Sequence, residues 1–133
     1  MEKQKYAAIV LAAGSGKRMN SKVHKQYLII QDRPVLYYSL KAFEDSAVDE
    51  IVLVVGKGEE KFCRKEIVDK YGISKVKAIV EGGKERYHSV FEGLKQTSDA
   101  DYVLIHDGAR PFVNQEIIRR SMLEVPEYQA CVV

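Results

Sequence analysis

The chain has 133 residues, 46% of them hydrophobic, with 21 Lys and Arg against 19 Asp and Glu for a formal charge of +2. That length suits one domain with a single core. A balance this near neutral offers no overall basic field for nucleic acid or an anionic membrane, and no run approaches the roughly eighteen apolar residues of a membrane span. Cys63 and Cys131 have neither metal-ligand spacing nor a disulfide framework, which suits a reducing, cytoplasmic setting and plain core roles.

Lys3 and Lys5 precede an apolar run, Tyr6 to Ala13, about as long as a signal-peptide core. The polar chemistry directly after Ala13 is poor flanking for a cleavage site, so Ala7 to Leu11 reads as a buried first strand. LAAGSGKRM, Leu11 to Met19, follows it. Met19 stands where the dinucleotide fingerprint needs its third glycine, and G-x-x-x-x-G-K-[ST] does not fit Gly14 to Lys17. What remains is Gly14 and Gly16, whose bare backbone admits a ligand, followed by Lys17, Arg18, Lys22 and Lys25. Backbone donors with four cations describe a polyphosphate site, and a solvated basic loop is the alternative.

Leu36, Leu40 and Phe43 form a helical stripe with Pro34 in the first turn. The strand Ile51 to Val55 runs into Gly56 and Lys57 without the ribose-binding acid of a nicotinamide enzyme. Cys63 and Ile67 mark a helix stopped near Gly72, and Val76 to Val80 a third strand. EGGKERYHSVFEGL, Glu81 to Leu94, sets Gly82 and Gly83 ahead of an amphipathic helix. Helix N-termini attract anions. Arg86 and Ser89 are expected to face a ligand there while Tyr87, Val90, Phe91 and Leu94 face the core. His88 reads as a surface or satisfied histidine. A fourth strand, Tyr102 to His106, leads into LIHDGARPF, where Asp107 is placed as a hard-cation ligand or a turn cap and Arg110 as structural or anion-binding. Ile118, Met122 and Val125 form the last helix, capped by Asn114 and ended at Pro126, before a fifth strand, Ala130 to Val133.

Alternating strands and helices imply an α/β, doubly wound, Rossmann-like and mostly parallel sheet with right-handed crossovers, whose ligands bind beyond the strands' carboxyl ends. All three conspicuous loops fall at that end. The chain stops in what reads as the middle of a strand.

LAAGSGKRM, HKQYL, GGKERYHSV and HDGARP together, in this order, resemble the cytidylyltransferases of the nonmevalonate isoprenoid pathway, which join 2-C-methyl-D-erythritol 4-phosphate to CTP. The resemblance runs from Tyr6 to the last residue, and the motifs are highly specific as a set. It implies a nucleotidyltransferase-type sheet truncated after the fifth strand, with residues 1–133 as the nucleotide-binding part of one cytidylyltransferase domain. It further implies a CTP-dependent enzyme in full-length form, Mg2+ as cofactor, CTP and a polyol phosphate as substrates, and a homodimer formed through a C-terminal part absent here, without which this piece is expected to be inactive. By the resemblance, Ala12, Ala13, Gly14, Gly83 and Ser89 hold the cytidine. Gly16, Arg18 and Lys25 meet the triphosphate and its transition state, Asp107 holds the cation, and Lys17, Lys22, Arg86 and Arg110 are supporting candidates. His24 and Lys84 depart from the usual proline and acidic residue of the family. A ribitol 5-phosphate cytidylyltransferase and a non-catalytic nucleotide-binding module are the alternatives.

Overall fold

The structure is a computed structural model that describes residues 4–12, 29–30, 33–108, 113–124 and 130–132, with the backbone alone at 29–30 and 130–132. Four of its strands are apolar runs of six or seven residues: β1 (Tyr6–Ala12), β4 (Glu50–Val55), β5 (Val76–Glu81) and β6 (Tyr102–Asp107). With the three-residue β7 (Ala130–Val132) they form a five-stranded parallel sheet in the order β5-β4-β1-β6-β7. β1 and β4 lie at the centre and are buried on both faces from Ala7 to Ala12 and from Glu50 to Val55, which is why they lack the alternation of a half-exposed strand. All five strands stand where the apolar runs predicted them. A two-residue ribbon, β2 (Ile29–Ile30) against β3 (Arg33–Pro34), is an addition too short to leave a periodic signal.

Pro34 is the residue before α1 (Val35–Glu44) rather than part of its first turn. One turn of α2 (Glu60–Cys63) runs on as a π-helical stretch, Arg64–Asp69, and Gly72 reverses the chain with a positive φ of 65°, a conformation that glycine adopts without strain. In α4 (Gln115–Glu124) the Asn114 side chain accepts the Ile117 N–H at 2.9 Å, as the sequence predicts.

The helices divide between two faces of the sheet. Ala8, Val10, Leu53 and Leu104 point toward α1, α2 and α4, burying Leu36, Leu40, Phe43, Cys63, Ile67 and Ile118. Ile9, Leu11, Val52, Val54, Val103 and Ile105 point the other way, toward α3 (Arg86–Lys95). Because α4 shares a face with α1 while β7 extends the sheet away from β4, the β6–α4–β7 crossover has the opposite hand to the other three. That departs from the uniform right-handed winding expected of such sheets.

Helix α3 also departs from expectation in its phase. Tyr87, Phe91 and Leu94, expected in the core, are 68%, 57% and 41% exposed, while Ser89 and Gly93 are the buried residues. Close approach explains this. A Cβ on Gly93 would lie 2.7 Å from Ile9 Cγ2 and 3.3 Å from Val54 Cγ2, so the helix rests on the sheet through its smallest residues and turns its larger ones outward.

At the amino end of the sheet, Lys5 and Lys77 each pair with both Glu50 and Asp99, tying the start of β1 to β5 and to the turn after α3. Those two lysines hold the Asp99 carboxyl down to about 2.

Candidate active site

Strand register brings the sheet's carboxyl ends into one row. Ala12 pairs with Val55, Val55 with Glu81, and Leu11 with Asp107. The segments that leave β1, β5 and β6 therefore start side by side. The Gly82 N–H donates to the Val55 carbonyl at 2.7 Å, carrying the ladder one residue past β5. The Gly108 N–H likewise donates to the Leu11 carbonyl at 2.8 Å. A Cβ on Gly108 would lie 2.8 Å from Leu36 Cδ1 and 3.0 Å from the Leu11 carbonyl oxygen, and a strand carbonyl cannot turn aside. Only glycine lets the chain cross here, so Gly108 sets Asp107 beside the end of β1.

The loop after β5 folds back on the helix it precedes. A Cβ on Gly83 would stand 2.2 Å from the Cβ of His88, so this loop lies on the first turn of α3 at a distance that no side chain tolerates. The Glu85 N–H donates to His88 Nδ1 at 3.3 Å, and the His88 N–H returns to the Glu85 carbonyl at 3.1 Å. The Tyr87 ring packs on the imidazole with centroids 4.2 Å apart. The sequence reading of His88 as a satisfied histidine holds, with the partner now named.

Arg86 opens α3 and extends its Nη1 to 3.8 Å from Asp107 Oδ2, with 57% and 34% of the two side chains exposed. Helix and metal-candidate strand thus meet through a charge pair open to solvent. Ser89, expected to share Arg86's ligand-facing side, is instead buried at 4% exposure, because the phase that seats Gly93 on Ile9 also turns Ser89 inward. Below the rim, Ser39 Oγ of α1 lies 3.2 Å from His106 Nε2, both side chains buried, and Phe43 packs on the imidazole at 5.6 Å. This pair couples α1 to the residue before Asp107. Its one sequence signal was a histidine at an inward position of an otherwise apolar strand. At the far end of the row, Glu81 accepts the Gly58 N–H at 3.1 Å, and its hydrogen bond with Glu60 raises the Glu60 carboxyl above its ordinary range.

Among the described residues no three His, Cys, Asp or Glu side chains gather as a metal cage. Asp107 is a single, partly exposed carboxylate already beside a cation. That donor set fits Mg2+, which usually takes one or two carboxylates and completes its shell with substrate phosphates and water. Ala13, Gly14, Gly16, Lys17, Arg18, Lys22, Lys25 and Arg110 lie outside the described residues.

The family model for 2-C-methyl-D-erythritol 4-phosphate cytidylyltransferase matches residues 6–133. The chain belongs to that family. A cytidylyltransferase of this name from Lachnoclostridium phytofermentans is 55% identical over 130 residues, which cover 98% of this chain and 56% of the relative. One from Clostridium kluyveri is 51% identical over 125 residues, covering 93% and 54%. The crystal structure of 4-diphosphocytidyl-2C-methyl-D-erythritol synthase from Anaerococcus prevotii matches with a TM-score of 0.74 and 33% identity over 90% of this chain and 50% of that one. The chain therefore spans about half the length of the relatives it matches. No helix among the described residues is long and apolar enough to cross a membrane.

Proposed function

We propose that this chain forms the nucleotide-binding part of a CTP-dependent cytidylyltransferase that transfers CMP to 2-C-methyl-D-erythritol 4-phosphate in isoprenoid precursor synthesis, within the cytoplasm. The observation that carries the proposal is the convergence of Ala12, the Gly83 loop, Arg86 and Asp107 on one rim of the sheet, in a chain of this family.

In the reaction an acceptor phosphate oxygen attacks the α-phosphorus of CTP in line. A P–O bond forms there as the bond to the β-phosphate's bridging oxygen breaks, and that electron pair leaves with pyrophosphate. A phosphate nucleophile is already anionic near neutral pH, so the protein needs no general base. Its work is to position two anions and offset their repulsion. Main-chain groups of Ala12, Ala13, Gly14 and Gly83, with Ser89, hold the cytidine. Since Ser89 is buried as described, its role is to shape the wall of that subsite. Gly16, Arg18 and Lys25 meet the triphosphate, Lys17 and Lys22 add positive charge, and Arg110 shapes the loop beyond Asp107. Mg2+ on Asp107 supplies charge neutralisation for phosphate oxygens. A homodimer assembled through a longer C-terminal part completes the acceptor side.

Calorimetric titration of this chain with CTP, ATP, GTP and UTP in Mg2+ tests the binding half, with CTP expected to bind at least roughly tenfold tighter than the others. Pyrophosphate release by the sequence fused to the C-terminal half of the Lachnoclostridium phytofermentans relative tests the chemistry, with either polyol phosphate as acceptor. Equal affinity for all four nucleotides, or a fusion that releases no pyrophosphate from CTP with 2-C-methyl-D-erythritol 4-phosphate, refutes the assignment.

A further inference from the structure

Residues 82–85 lie close on α3 at His88. Gly83 approaches so near that an added Cβ would stand 2.2 Å from the His88 Cβ. The Glu85 N–H donates to His88 Nδ1 at 3.3 Å. We propose that His88 is a positioning residue for the nucleotide loop, its Nδ1 holding residues 82–85 in their binding shape by accepting the Glu85 N–H. This rests on the reading above that the loop faces the nucleotide.

His88→Asn and His88→Ala separate this role from simple helix capping. Asparagine keeps an acceptor close to the Nδ1 position, whereas alanine removes it. With CTP and Mg2+ in a calorimeter, His88→Ala is expected to bind roughly fivefold more weakly than the parent chain, about 1 kcal/mol, as for a lost cap, and His88→Asn to stay within about twofold of it. Parental affinity in His88→Ala, or a loss in His88→Asn equal to that in His88→Ala, overturns the proposal. Should no form bind CTP, the functional reading above fails, and hydrogen exchange of the Glu85 amide decides the loop-holding role by NMR. Protection in the parent and His88→Asn that is lost in His88→Ala supports it; equal exchange in all three refutes it.

Discussion

Replacing Gly83 by alanine isolates loop position from fold stability. The new Cβ would meet the His88 Cβ at 2.2 Å and the His88 Cα at 3.4 Å, and ordinary carbon–carbon contact is about 3.5–4.0 Å. The two segments must then part by roughly 1.5 Å. His88 cannot relieve this by rotating, because its Cβ is fixed to the helix backbone. α3 cannot back away either, since Gly93 seats it on the fully buried Ile9. The loop moves instead, and residues 83–85 are exposed, so the move costs the fold little. A displacement near 1 Å in a positioning element costs about a hundredfold in function. Gly83→Ala is therefore expected to weaken CTP binding at least roughly tenfold by calorimetry, while its melting temperature stays within about 4 °C of the parent, the shift of about 1 kcal/mol in a chain of this size. Binding within about twofold of the parent would refute the reasoning, because a loop displaced this far cannot keep a shape that nucleotide recognition needs. Unfolding of the variant would refute it too, by showing that the loop supports the fold rather than the ligand.

Gly93→Ala should destabilise by about 1 kcal/mol in urea: the usual gain of about 1 kcal/mol for alanine in a helix is outweighed by overpacking of about 1–3 kcal/mol where the Cβ meets Ile9 Cγ2 at 2.7 Å. In an Ile9→Ala background the same change should become stabilising, and a stabilising effect without Ile9→Ala would show that the helix shifts freely. The depressed Asp99 carboxyl, held by Lys5 and then Lys77 at about 2, contributes stability above its unfolded value near 3.9, lost as the pH falls from there toward 2. Asp99→Asn should therefore lower the melting temperature at pH 6 and lose most of that difference by pH 2; a difference undiminished at pH 2 assigns the effect to packing instead. Asp107→Asn should weaken Mn2+ binding in the presence of CTP by at least roughly tenfold, read by the paramagnetic signal of free Mn2+, with melting unchanged within about 4 °C. Undiminished Mn2+ binding would remove Asp107 from the cation site.

The sheet was legible because its inner strands β1, β4 and β6 are buried almost throughout, so apolar runs such as Ile51 to Val55 and Tyr102 to His106 carry a dense local signal. The phase of α3 was not. Periodicity finds an amphipathic helix by its large residues and assumes that they point inward. Here Gly93 fixes the contact, and a glycine carries no hydrophobic weight even when it decides how near the backbone approaches. The reversed hand of the last crossover was equally hidden, since it depends on which face receives Ile118 and Met122, and amphipathicity alone does not choose between two apolar faces of one sheet.

The candidate site divides along the same line. Gly83, Arg86 and Asp107 were visible as residue types next to strand ends, where parallel topology requires ligand loops to gather. Their couplings were not visible, because Arg86 and Asp107 are twenty-one positions apart in the sequence yet 3.8 Å apart in space. The same holds for Ser39 and His106, sixty-seven positions apart and buried together. These pairs explain why the rim is built on two different helices. The Ser39–His106 contact anchors the end of β6 to α1 on one face, and Arg86 ties it to α3 on the other. Asp107 thus stands beside the end of β1, between contacts to both faces of the sheet. Under the proposed function, a polyphosphate and its cation would meet a preset geometry, and the ordering cost would fall on the ligand rather than on the chain.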